Sequence, residues 1–151
     1  MNMKIRNKIG YSIYILCFFL IALMGQSCAE ANEEFVHETN TVSQMICKGS
    51  LSGGEYAGTI YEYNKKGELM TGSFTNDEIK GGYGIIMFSI PESLRKDVDL
   101  TKVYLRATVT YDEMITPSLL GCHDISGDGI IITVKSGTGT TRQYRVRGVY
   151  E

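Results

Sequence analysis

Residues 122 to 124 read Cys-His-Asp. Those three types in one place could do nucleophilic chemistry, with an imidazole activating a thiolate and a carboxylate orienting the ring. Their spacing argues against it. Neighbouring residues of an extended chain point to opposite sides, so the Cys122 thiol does not meet the His123 ring. The segment reads instead as a cysteine beside a surface histidine. The other histidine, His37, lies far away in an acidic stretch and is set aside. "DISGDG" (124–129) offers two carboxylates to a calcium ion, but it lacks the ligand spacing and closing Glu of a calcium loop, and a β-turn explains it. "SGTGTT" (136–141) has the glycines of a phosphate loop. Such a loop needs Gly-Lys-Ser/Thr opening a helix, whereas here a strand pattern follows. The expectation is a chain without enzymatic chemistry, metal or cofactor.

What stands out is the same stretch read as backbone: "KSGTGTTRQYRVR", residues 135–147. Gly137 and Gly139 carry no side chain, so another molecule can approach the main chain closely. Thr138, Thr140 and Thr141 favour extended geometry. An exposed extended segment suits a protease cleft, which binds by main-chain β pairing. A plain hairpin loop is the competing reading.

The C-terminal "SGTGTTRQYRVRGVYE" resembles the end of the staphostatins, small β-barrel inhibitors of papain-fold cysteine proteases. Gly139-Thr140-Thr141-Arg142 follows the order of their inhibitory loop, and nine residues come after Arg142. Thr138 stands where that family has an apolar residue, and Gln143 where it has a proline. The resemblance implies a loop of Gly137, Thr138, Gly139, Thr140, Thr141 and Arg142 entering a protease cleft in the direction of a substrate. Thr138 would face the S2 pocket, Gly139 would occupy S1, and Thr140 and Thr141 would lie on the primed side. Gly137-Thr138 is also a Gly-Thr pair, so two registers are open. A positive φ at the S1 glycine would turn its carbonyl away from the oxyanion donors and slow attack.

The elements that must position this loop are β throughout. "VSQMICKGS" (42–50) is a first strand. "EYAGTIYEYN" (55–64), the turn "KKG" and "ELMTGSF" (68–74) form a hairpin signal. "YGIIMFSI" (83–90) and "GIIITVK" (129–135) are near-continuous apolar runs, expected to be buried on both faces. "KVYLRATVTY" (102–111) alternates, with Val103, Leu105 and Ala107 on one face and Tyr104, Arg106 and Thr108 on the other. "RQYRVRGVY" (142–150) sets Tyr144, Val146 and Tyr150 against Arg145 and Arg147. "PESLRKDVDL" (91–100) holds at most one short helix, and 112–129 is a loop with a strand fragment near 120–125. The fold class is all-β, a small barrel or sandwich of seven or eight strands, of the staphostatin or lipocalin kind.

Residues 1–28 read as a signal peptide: Lys4, Arg6 and Lys8, then an apolar run from Ile13 to Met24. "LMGQSC" resembles a loose bacterial lipobox with Cys28 as the lipidated residue. Ala29-Glu30-Ala31 is a competing cleavage site that releases a soluble chain, and an uncleaved anchor is a third reading. All three place the domain outside the cytoplasm, as an envelope lipoprotein or a secreted protein. Residues 29–41 form an acidic tether, and 42–151 form the domain. All 17 acids but only 12 of the 15 Lys and Arg residues follow Cys28, leaving a formal charge near −5. That lacks the basic footprint of a nucleic-acid binder. Cys47 and Cys122 remain as a possible disulfide, closing a loop of about 75 residues and worth roughly 4 kcal/mol, with two free thiols as the alternative.

The leading expectation is an exported, monomeric inhibitor of a papain-fold cysteine protease, with membrane contact only through Cys28. The alternatives are a non-enzymatic envelope lipoprotein with a structural, immunity or interaction role, and a small-ligand barrel.

Overall fold

Ile86, Phe88 and Ile90 recur at every second position of one strand and are fully buried. This period of two builds the strand-borne part of the core. The computed structural model describes residues 37–51, 54–72 and 81–151. The expected leader, Cys28 and the first part of the tether lie outside the described residues. Ten strands are present among the described residues: β1 Gln44–Gly49, β2 Glu55–Ala57, β3 Thr59–Tyr63, β4 Leu69–Met70, β5 Tyr83–Ile90, β6 Val103–Thr108, β7 Met114–Thr116, β8 Cys122–His123, β9 Ile130–Lys135 and β10 Thr141–Tyr150. The expected helical segment is a single 3-10 turn, Glu92–Leu94, entered through Pro91.

Among the described residues the strands form two open sheets and no closed barrel. The smaller has the order β2-β1-β6-β8 and the larger β4-β3-β5-β10-β9-β7. All pairings are antiparallel except β5 with β10, which run parallel from Gln143↔Tyr83 to Tyr150↔Ile90. A parallel pair cannot be joined by a tight turn, and the chain between them visits the small sheet before returning. Met45, Cys47, Val103 and Leu105 of the small sheet share one core with Ile86, Phe88, Ile132, Val134, Tyr144 and Val146 of the large one. Val98, Leu100 and Ile125 close the core from the connecting segments.

The strand count exceeds the expected seven or eight for a local reason. Residues 55–64 are two strands, not one, because the chain changes sheet at Gly58. There a Cβ would stand 2.8 Å from the Ile86 side chain, so only glycine lets the backbone pass. The short β7, in a stretch expected as loop, supplies the rest, while β4 and β8 fall where strands were expected. The apolar runs of β5 and β9 are also not buried on both faces. Their inward residues are buried, but Ile85 and Met87 are only half-buried and Ile131 is 48% exposed. The packed structure begins before the expected boundary at Val42, since Asn40 is already buried.

Candidate functional site

β9 and β10 pair down to Lys135↔Thr141, and five residues join them. The Ser136 N–H donates to the Thr140 carbonyl (2.9 Å) and the Gly139 N–H to the Ser136 carbonyl (3.0 Å). This is a three-residue hairpin turn, Gly137-Thr138-Gly139, of the kind whose last residue takes a left-handed conformation. Gly139 has that conformation, with φ +90°. A side chain there would be strained, at about 1–3 kcal/mol. Gly137 is required for a different reason: a Cβ on it would lie 1.9 Å from Asp112 Oδ2. The alternation of glycine with threonine thus reflects one dihedral constraint and one close approach.

The threonines and Ser136 stiffen the turn. Ser136 is buried, and its hydroxyl lies 3.0 Å from Thr138 Oγ1 and 2.8 Å from Thr140 Oγ1. It also accepts the Thr140 N–H at 3.0 Å. Residues 37–42 run across the outside of the hairpin as a strap. The His37 carbonyl accepts the Thr138 N–H (3.3 Å). The Glu38 carbonyl accepts the Thr140 hydroxyl (3.2 Å), and Asn40 Nδ2 donates to Thr140 Oγ1 (3.1 Å). The His37 ring stacks on Tyr111 at 3.9 Å, and the His37 main-chain N–H donates to Asp112 Oδ2 (3.4 Å). Gly137, Thr138 and Gly139 remain exposed at the tip, as does Thr141 at the start of β10.

Arg142 is placed otherwise than expected. It was expected as a loop residue facing the partner, but it is 1% exposed. Strand parity turns it inward with Tyr144 and Val146. Its Nε donates to Glu62 Oε2 (2.8 Å), and Nη2 donates to the carbonyls of Tyr63 and Tyr83 (2.9 Å each). The Tyr144 hydroxyl donates to Glu62 Oε1 (2.6 Å) and accepts the Val42 N–H (3.2 Å). Burial, and then the Glu62 carboxylate, push the Tyr144 phenol far above its ordinary range. Arg142 therefore anchors the base of the hairpin to β3 and β5.

The expected disulfide is not formed. Cys47 pairs with Leu105 and Cys122 with Tyr104, so β6 lies between them. Two strand spacings are roughly 10 Å, beyond the roughly 7 Å that a disulfide spans. Parity also separates them: Cys47 is buried and Cys122 exposed, and both thiols are free. Burial pushes the Cys47 thiol up to about 11.

Beside Cys122, Asp124 is occupied by its own turn. It accepts the Ser126 N–H (2.9 Å) and hydroxyl (2.6 Å), which hold its carboxyl below the usual range. The Gly129 N–H donates to the Ser126 carbonyl at 2.8 Å, so "DISGDG" is a β-turn. Among the described residues no three His, Cys, Asp or Glu side chains gather as a metal-binding group.

Sequence reasoning missed the strap, and it did not single out Glu62. Glu62 sits in phase with inward Ile60, and Arg142 in phase with inward Tyr144. Two opposite charges, each at a core phase of its strand, are a readable sign of a buried pair. The backbone contacts of His37 and Glu38 leave no such trace.

No family model matches the chain, and no curated protein matches it. A solved structure from Bacteroides fragilis, whose description proposes a secreted protein, aligns with 76% of this chain and 97% of its own at 14% identity and a TM-score of 0.44. That likeness is too low to carry a fold or a function across.

Proposed function

We propose that the domain is an exported inhibitor of a papain-fold cysteine protease and presents the Gly137–Thr141 hairpin to the active-site cleft. The observation that supports this most is the exposed glycine tip with Gly139 at φ +90° on a base held by hydrogen bonds between Ser136, Gly139 and Thr140. A rigid loop loses little freedom on binding. The bond from the Gly139 N–H to the Ser136 carbonyl keeps the chain bent. A bent chain does not lie flat along a cleft as a substrate does. The Gly139 carbonyl is then offered at an angle that misses the thiolate and the oxyanion donors, and small misplacements of that kind slow attack by about a hundredfold.

The positive φ favours Gly139 over Gly137 as the S1 residue. Thr138 is the side chain at the tip that would meet S2. Arg142 acts from below, by fixing the hairpin to the sheet, and makes no contact with the protease. Export through the leader, with Cys28 as a lipid anchor in the cell envelope, belongs to the same reading and rests on the sequence.

The test titrates the purified chain against a panel of papain-fold proteases from bacteria and plants, beside Gly139→Arg. Stoichiometric inhibition by the parent, with cleavage after residue 139 in the variant, is the expected result. Thermal melts of both proteins separate loss of the loop geometry from loss of the fold. Inhibition of no member of the panel, rapid cutting of the parent hairpin, or equal inhibition by a folded Gly139→Arg would each overturn the proposal.

A further inference from the structure

The outward face of the large sheet has a composition unlike the rest of the chain. Cross-strand register places Tyr63, Tyr83 and Gln143 in one row and Tyr61, Ile85, Arg145 and Ile131 in the next. Arg147 follows one row further along β10. Tyr83 is 44% exposed and Tyr61 40%. The Tyr63 and Tyr83 rings stack at 5.0 Å with 10° between their planes. Between the rows, bounded by Tyr83, Ile131, Gln143 and Arg145, lies a groove of about 220 Å3. That is below the roughly 300 Å3 of a drug-sized pocket and suits a single ring.

The charge on this face is the second observation. After Cys28 the chain carries a net negative charge, yet among the described residues no Asp or Glu occupies an outward strand position of this sheet. Its charged outward residues are Lys135, Arg145 and Arg147. Arg145 uses one donor on the Asp128 carbonyl (2.9 Å), and a guanidinium has five. The Arg147 Nε is buried with no hydrogen-bond partner among the described residues, and a buried donor left unpaired is costly.

We infer that this face binds an acidic glycan, with a uronic acid ring seated in the groove. The apolar face of the sugar ring covers a tyrosine ring, its hydroxyls meet Gln143, and its carboxylate meets the guanidinium of Arg145, a short charge-assisted contact. Arg147 lies where the next acidic residue of a polymer would reach. The other partners fit less well. A peptide that adds by main-chain pairing needs a sheet edge, and this is a sheet face. Nucleic acid needs more cations than three on a net acidic chain. The inference does not depend on the hairpin being inhibitory.

Affinity electrophoresis of the intact chain in native gels holding polygalacturonate tests it. Retardation is expected, and it should fall at least about tenfold in apparent affinity in Arg145→Gln and in Tyr83→Ala, as loss of a charged hydrogen bond or a stacking face does. Both side chains point outward, so the fold should survive, and a thermal melt checks this. Arg106→Gln, an exposed cation on the small sheet, should leave retardation unchanged. Free galacturonate at equal residue concentration separates a single sugar-acid site from a polymer track: equal competition indicates the former, weak competition the latter. No retardation by polygalacturonate, alginate or hyaluronan would overturn the inference. So would retardation untouched by both variants, or equal retardation by the fully methyl-esterified polymer.

Discussion

Arg142→Met removes a guanidinium and keeps most of the side-chain volume. In the folded domain it leaves the Glu62 carboxylate buried with the Tyr144 hydroxyl, and it takes a donor from the carbonyls of Tyr63 and Tyr83. Breaking one side of a buried ion pair costs about 3–5 kcal/mol. A domain of this size is stable by about 5–15 kcal/mol in total, so the loss is a large fraction. At about 4 °C per kcal/mol, the melting temperature should fall by roughly 12–20 °C. The chain has no tryptophan, so urea unfolding is followed by circular dichroism, with tyrosine fluorescence as a second probe. The midpoint should drop at unchanged slope. The double variant Glu62→Met with Arg142→Met should recover much of the loss, because an apolar pair of similar volume often replaces a buried ion pair at little cost. A loss below about 0.5 kcal/mol, the usual range for a surface residue, would refute the placement of Arg142 in the core. It would return that residue to the exposed loop that the sequence suggested.

Gly139→Ala should destabilise by about 1–3 kcal/mol through its positive φ, read as a shift in the urea midpoint; an unchanged midpoint would mean the turn differs from that described. Gly137→Ala should also destabilise, and the double variant with Asp112→Ala should restore most of the loss, since the obstacle is that carboxylate. Reducing agent should leave the melting temperature unchanged. A thiol reagent should modify Cys122 quickly and Cys47 only on unfolding, because Cys47 is buried and its thiol is pushed up to about 11. The Tyr144 phenol is raised in the folded state. Its contribution to stability is therefore complete below the unfolded value near 10 and is lost as pH rises beyond it. A stability-against-pH series should fall above about pH 10, and Tyr144→Phe should flatten that fall.

The sequence by itself determined the all-β class, most of the strands and the inward faces of β6 and β10. Alternation in β6 and β10 placed Val103, Leu105, Tyr144 and Val146 in the core, because a pleated strand sends successive side chains to opposite sides. It also placed a loop between the strand patterns that end at Lys135 and begin at Arg142, because Gly and Thr fill that gap. Only the tertiary structure decided what those residues do. Strand parity put Arg142 on the inward side of β10, but only the packing of β3 and β10 on either side of β5 brought it Glu62, eighty residues away, as a buried partner. Cys47 and Cys122 stayed apart because β6 runs between their strands, a matter of strand order that no local pattern encodes. β5 and β9 kept one face open because each packs against the core on one side only, although their apolar runs do not distinguish one covered face from two. The strap of residues 37–42 was invisible beforehand because it binds the hairpin largely through main-chain atoms, which every residue carries alike.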